Sequence, residues 1–210
     1  MRTASHGRIS VMIAVLSVVG CGLLSGCTHA IPRWGTAGRY LEGRDQFLRG
    51  RGGDMQTAVN ALESVVGDDP TYKDSLTLLG RAYYRQARYQ DAIRFLQRAV
   101  AVNEKDEIAW LVIGLTQLRL GEDEKGVETL KGAITLVSKA SVRGYRDFPE
   151  WDSKGVVRTY ISRSVVQVIK GVEEKEKLMQ TVETLLARMD DEENFQRINA
   201  PRQRLRDSGG

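Results

Sequence analysis

Two arginines and a tyrosine in one short segment are the residues of this chain best suited to bind a ligand. Arg81 and Arg85 are four residues apart, about one helical turn, and Tyr84 is adjacent to Arg85. Guanidinium groups bind carboxylates through paired N–H donors, and tyrosine adds a stacking face and a hydroxyl. The cluster therefore suits an acidic or carboxylate-bearing segment. Alternatively, the arginines pair with neighbouring Asp or Glu residues and only keep the surface soluble.

Residue sets for catalysis or metal binding are not apparent in the sequence. All histidines and cysteines of the chain lie within the first 30 residues. The remaining residues therefore offer neither a zinc cluster nor a Cys/His or Ser/His/Asp set. The glycine-rich stretch 50–54 lacks the Lys-Ser/Thr of a phosphate-binding loop and is interpreted as a turn. The acidic runs 173–177 and 190–194 are interpreted as solvated helix faces. We expect no catalytic residue, metal or cofactor.

The composition predicts a globular all-α protein. Hydrophobic residues make up 41% and charged residues 28% of the chain, which is typical of a folded domain. Long segments have helical periodicity, and alternating strand patterns are not seen. The formal net charge of +4 comes from arginines near the two ends, which leaves the body close to neutral. This distribution gives no support for nucleic-acid binding.

Gly80 lies in the middle of the predicted helix that carries the arginine cluster. Glycine at such a position costs about 1 kcal/mol relative to alanine. A shift of 34 residues aligns Gly80 with Gly114. The same shift aligns four further pairs: Leu76 with Trp110, Leu79 with Ile113, Leu96 with Leu130, and Ala99 with Ala133. This period and these residue types resemble the tetratricopeptide repeat (TPR), a helical hairpin. The resemblance implies that the glycine lets the partner helix approach closely.

The resemblance implies a repeat array, and beyond residue 140, where the period stops, apolar stripes predict two further helices. Two repeats are expected at 73–106 and 107–140, and a degenerate first one begins at 38, with about three extra residues in the turn 50–54. Terminal units of such arrays present a polar outer face. The expected fold class is all-α: a TPR-type right-handed solenoid of helical hairpins with atypical C-terminal capping helices. The expected segments are a signal peptide at 1–26, a tether at 27–37, repeats at 38–140, a connector at 141–152, a helical hairpin at 153–200 and a disordered tail at 201–210.

In TPR proteins the first helices of successive hairpins line a concave groove that binds peptides or protein segments. The resemblance places ten residues of this chain in the groove. They are Asp74, Thr77, Arg81, Tyr84 and Arg85 in one repeat, and Ile108, Leu111, Leu115, Leu118 and Arg119 in the next. Thr77, Leu78, Ile108 and Val112 stand where one TPR subfamily clamps a terminal carboxylate with Lys, Asn and Arg, so that clamp is not expected.

The predicted helix that carries Leu111, Leu115 and Leu118 is apolar nearly all round, a pattern that indicates burial on several sides. Two explanations remain open. Either a partner protein fills the groove at this point, or the C-terminal helices of the chain fill it. We favour the internal explanation.

The N-terminus resembles a bacterial lipoprotein signal peptide. Two arginines precede the apolar run 9–19, which is too short to span a membrane. Leu24-Ser25-Gly26-Cys27 resembles a lipobox. It implies cleavage before Cys27 and acylation of that residue, with palmitate among the expected acyl groups. Thr28, in place of Asp, implies the outer membrane, with the protein facing the periplasm. Cleavage at Cys21, or a plain secretory signal, is the alternative.

These features together predict a lipid-anchored, non-enzymatic scaffold that binds a segment of a partner protein during assembly of envelope complexes. The alternative is an accessory subunit of an envelope polysaccharide or cell-wall enzyme system. Tyr145, Phe148 and Trp151 would then form a sugar-stacking platform, although a connector that caps the core explains these aromatics better. Neither hypothesis requires a small-molecule substrate.

Overall fold

The computed structural model describes residues 35–49, 52–141, 145, 148 and 150–207. All of them belong to one compact unit, Trp34–Gly210. The predicted signal peptide, the lipobox and Cys27 lie outside the described residues. The helices, in chain order, are α1 (Gly35–Leu48), α2 (Met55–Asp68), α3 (Ser75–Arg85), α4 (Tyr89–Val102), α5 (Glu107–Arg119), α6 (Asp123–Ser141), α7 (Val156–Lys170), a short 3-10 helix (Gly171–Glu174) and α8 (Lys175–Asp207). The all-α prediction is confirmed.

The first six helices pair as three hairpins, α1/α2, α3/α4 and α5/α6, and a glycine marks the closest approach in each. A Cβ atom on Gly80 would lie 2.5 Å from Cγ of Leu96, and one on Gly114 would lie 2.7 Å from Cγ of Leu130. Neither distance is sterically possible, which confirms that these glycines permit close helix packing. The lost helix propensity is offset by this packing.

The turns inside the second and third hairpins have the same geometry 34 residues apart. Ala87 and Gly121 both adopt a left-handed backbone conformation, with φ of 57° and 81°. In each turn the backbone N–H groups of that residue and the next donate to carbonyls at the end of the preceding helix. This arrangement satisfies helix-terminal carbonyls that would otherwise lack donors.

Hydrogen bonds link neighbouring hairpins at the starts of their first helices. The hydroxyl of Tyr40 donates to the carboxylate of Asp74, and Oγ1 of Thr77 donates to Oδ2 of Asp106 at 2.5 Å. Asp106 also caps α5, because its side chain accepts from the backbone N–H of Ala109 at 2.9 Å. These contacts fix the angle between successive hairpins and therefore the face that α1, α3 and α5 share.

Beyond α6 the repeat ends and the last two helices close the array. α7 packs on α6 and on α8, and α8 also contacts α5. α8 continues through Pro201 to Asp207. These residues lie within the tail predicted at 201–210, whose disorder stays a prediction. Similarly, α1 begins at Gly35, inside the segment predicted to be the tether.

Candidate functional site

α8 lies along the concave face formed by α1, α3 and α5. Three of its carboxylates meet arginines from the three hairpins in succession. Arg119 of α5 binds Glu183 at 3.1 Å, Arg81 of α3 binds Asp190 at 2.6 Å, and Arg44 of α1 binds Glu193 at 3.1 Å. The helix therefore runs from the third hairpin to the first, and the groove is covered by a segment of the same chain.

The centre of this face is a cluster of charges around a buried phenyl ring. Nη2 of Arg85 lies 3.3 Å from Oδ2 of Asp190, which Arg81 also binds. The guanidinium carbons of Arg81 and Arg85 lie 4.7 and 3.8 Å from the ring centre of Phe47, within the range of cation–π attraction. Nη1 of Arg85 also donates to the backbone oxygen of Phe47 at 2.8 Å.

Desolvation, together with the neighbouring Arg81, lowers the pKa of Arg85 to about 10, against the opposing effect of Asp190. Because this value lies well above neutral pH, Arg85 stays protonated at neutral pH. The face therefore presents two adjacent cations to any acidic group that enters it.

A second polar cluster links α3, α5 and α8. The hydroxyl of Tyr84 donates to Oε1 of Glu183 at 2.5 Å, and Nη2 of Arg119 donates to the same oxygen at 3.1 Å. Burial, and the hydrogen bond to Glu183, raise the pKa of Tyr84. Tyr84 therefore stays a neutral hydroxyl donor at neutral pH.

Between these two clusters lies a partly open cavity of about 430 Å³. Its charged lining consists of three guanidinium groups and one carboxylate, and its other walls are aromatic and aliphatic. The lining residues are Arg81, Tyr84, Arg85, Ala87, Tyr89, Val112, Arg119, Glu183, Leu186 and Ala187. A space of this size is in the range of ligand sites, and its donors suit a carboxylate on a small apolar stem.

The structure divides the ten predicted groove residues into three groups. Arg81, Tyr84, Arg85 and Arg119 contact carboxylates of α8. Asp74 and Thr77 form the hydrogen bonds between hairpins. The four apolar ones are buried: Ile108, Leu111, Leu115 and Leu118. The arginines therefore pair with acidic residues of the same chain, and the α5 stripe is covered from within the chain.

One sequence interpretation needs correction here, and two site residues were missed. The run 190–194 is not simply a solvated helix face, because the side chains of Asp190 and Glu193 are only 13% and 11% exposed and bind arginines of the groove. Arg44 and Phe47 were not identified as site residues, because the first hairpin is offset by three residues.

The connector aromatics are packed against one another. The rings of Tyr145 and Trp151 lie 4.5 Å apart, and that of Phe148 stacks on Trp151 at 6.4 Å. Tyr145 and Trp151 are buried and Phe148 is half-buried. This packing favours the core-capping interpretation over an exposed sugar-stacking platform.

The described part of the chain offers neither a metal site nor a membrane span. There, no three His, Cys, Asp or Glu side chains are grouped so that they could hold a metal ion. The helices within that part are too short or too polar to cross a bilayer.

Parts of this chain are similar to proteins of known family or structure. No curated protein matches the sequence. The TPR2B domain of yeast Sti1, in a structure described as a complex with pHsp70, is 17% identical, with a TM-score of 0.49 over 64% of this chain and 96% of that one. A crystal structure of MamA is 22% identical, with a TM-score of 0.48 over 76% of this chain and 80% of that one. The model of the tetratricopeptide repeat family matches residues 51–118. Residues 51–118, which carry Gly80 and Gly114, are therefore similar to the tetratricopeptide repeat family.

Proposed function

We propose that the protein is a lipid-anchored scaffold of the bacterial envelope that faces the periplasm and binds a carboxylate-bearing segment of a partner protein. Tandem helical repeats present extended surfaces to protein partners. The observation that carries the binding site is the cavity between α3, α5 and α8, where three arginines surround a space of about 430 Å³. The partner supplies the acidic group, and the scaffold holds it at the membrane surface.

The chemistry of the cavity supports a carboxylate as the bound group. Arg85 is protonated at neutral pH, and Arg119 and Tyr84 already share one carboxylate oxygen, that of Glu183. Guanidinium groups have five donors in a fixed fork, so each arginine can bind a further carboxylate besides its α8 partner. Val112 and Leu186 add apolar wall for the stem of the bound side chain.

The lipobox Leu24-Ser25-Gly26-Cys27 supports the location. Each buried acyl methylene contributes about 0.8 kcal/mol, and two or more chains give stable anchoring. An anchored scaffold meets membrane-bound partners at a raised effective concentration, so a modest cavity affinity is sufficient. Replacing Cys27 with serine should move the protein from the membrane fraction to the soluble fraction, and an unchanged distribution would contradict the anchor.

Occlusion of the cavity tests the binding site. Ala187 is exposed and lines the cavity, so Ala187→Phe should fill it without touching the buried core. Ala101→Phe, at an exposed position of α4, is the matched control. Membranes of cells that produce each form are solubilised, and proteins that co-purify are quantified by mass spectrometry. We expect an envelope protein to be recovered with the wild type and the control and lost with Ala187→Phe. Equal recovery from all three would overturn the cavity as the binding site.

A further inference from the structure

The two parts of α8 are held by different kinds of contact. The part before Asp190 buries six apolar side chains: Leu178, Met179, Val182, Leu185, Leu186 and Met189. In residues 190–199, here called the acidic segment, the buried side chains are Glu193 and Gln196. The large apolar residues of the acidic segment, Phe195 and Ile198, are 49% and 64% exposed. Hydrophobic burial therefore holds the first part of α8 against the rest of the protein and contributes little to holding the second part.

Ion pairs are the main contacts of the acidic segment with the hairpins. Asp190 binds Arg81 and Arg85, and Glu193 binds Arg44, while the side chains of Arg44 and Arg81 are 8% and 9% exposed. Desolvation of such buried charges offsets much of their Coulomb attraction, so a buried ion pair adds little net stability. If the segment leaves, the arginines regain water. Glu192 also accepts from the backbone N–H of Asp152 at 3.0 Å, and Gln196 donates to the backbone oxygen of Glu150 at 2.9 Å. Exchange of one acidic segment for another therefore requires the loss of these two hydrogen bonds but of little buried apolar surface.

We infer that the surface beneath the acidic segment, formed by Arg44, Phe47, Arg81 and Arg85, is a docking surface for an acidic helix of a partner protein. In the absence of the partner, residues 190–199 occupy it. The arrangement of the arginines determines which helix can bind. Carboxylates three residues apart on one helix face match Arg81 with Arg85 at one end and Arg44 at the other, as Asp190 and Glu193 do. The stacking of two guanidiniums on Phe47 keeps the cations in place.

This role rests on the proposed scaffold function for the nature of the partner, but its test needs no partner. The probe is a fluorescent peptide with the sequence of residues 186–199, and the protein is the full chain in detergent. Asp190→Asn/Glu193→Gln removes the internal competitor and keeps the side-chain shapes. Glu176→Gln/Asp191→Asn removes two charges from exposed positions of the same helix and is the matched control.

We expect the Asp190→Asn/Glu193→Gln chain to bind the peptide at least tenfold more tightly than the wild type or the control. A peptide with the same two substitutions should bind at least tenfold more weakly than the unsubstituted one. Equal affinity of all three chains, with circular dichroism showing each to be folded, would overturn the docking surface. That failure would leave the cavity proposal standing, since the latter depends on the Ala187→Phe comparison.

A second measurement covers the case in which the double variant does not fold. In the wild-type chain, hydrogen exchange at the amides of residues 190–199 should be at least tenfold faster than at 178–189, because local opening of the acidic segment exposes little apolar surface. Equal protection along both parts of α8 would overturn the inference.

Discussion

The interior of the hairpins and the concave face are stabilised by different kinds of contact. Inside the hairpins, glycines bring helices so close that a single added methyl group meets Leu96 or Leu130. On the concave face, arginines meet carboxylates of α8 in contacts that depend on charge rather than on close packing. The fold therefore depends on shape, which tolerates little change, whereas binding on the concave face depends on charge, which leaves the bound segment exchangeable. Each prediction that follows tests one side of this contrast.

The largest expected effect is the difference in stability loss when a side chain is truncated in the first or in the second part of α8. Leu185→Ala should lower the free energy of unfolding by about 2–5 kcal/mol, because it leaves a cavity in the core. Ile198→Ala, in the acidic segment, should change it by less than about 0.5 kcal/mol, since that side chain is mostly exposed. Urea denaturation measures both. Similar losses for the two variants would remove the distinction between a fixed and an exchangeable part of α8.

The next effect tests the hairpin interior. Gly80→Ala should cost about 1–3 kcal/mol, because the new Cβ overlaps Leu96 and is also near the backbone oxygen of Ala92. The matched control is Gly67→Ala in α2, where a Cβ would meet open space among the described residues. The control should gain about 0.5–1 kcal/mol from higher helix propensity. Opposite signs in thermal melts would confirm that packing, and not propensity, places glycine at position 80.

The repeat itself could be predicted from the sequence because its contacts are local. Gly80 meets Leu96 and Gly114 meets Leu130, each sixteen residues apart, so the same pairing recurs with the 34-residue period. Gly43 packs against Leu62 in the same way, but the longer first turn shifts it by three residues, and its role was not recognised. Short-range packing of this kind leaves a periodic signal in the sequence.

The filled groove could not be predicted with the same certainty, because its contacts join distant segments. Arg44 and Glu193 are separated by 149 positions, and Arg81 and Asp190 by 109. Ion pairs over such separations have no period, and acidic residues are common on solvated helices. The sequence therefore identified Arg81, Arg85 and Arg119 and the alternative of pairing within the chain, but it identified neither Arg44 nor the carboxylates that fill the groove.

A smaller effect is expected at the turns within the hairpins. Ala87→Gly should raise the free energy of unfolding by about 0.5–1 kcal/mol, since relief of a left-handed alanine exceeds the entropic cost of glycine. Gly121→Ala, at the equivalent position, should lower it by about 1 kcal/mol. Chemical denaturation of both variants provides the comparison. Effects of the same sign would show that the two turns are not equivalent.

The smallest effect concerns an exposed carboxylate that does not take part in the groove. Asp54 caps α2 by accepting from the backbone N–H groups of Gln56 and Thr57 at 2.9 and 3.2 Å, and from the hydroxyl of Thr57 at 2.6 Å. The hydroxyl of Thr57, and then its N–H, hold the pKa of Asp54 below its usual value. A lowered pKa stabilises the fold at every pH above the ordinary range of aspartate, and this contribution is lost as the pH falls through the lowered value.

Asparagine also caps helices well but does not titrate in this range. The melting temperature of Asp54→Asn should therefore lie slightly below that of the wild type at pH 7, and the difference should shrink on acidification towards pH 3. Parallel melting curves over this range would contradict the assigned cap. Because Asp54 is fixed by local backbone donors, its titration should be unaffected by Asp190→Asn/Glu193→Gln. If that groove variant did change the Asp54-dependent difference, the hairpin turns and the concave face would be coupled rather than independent.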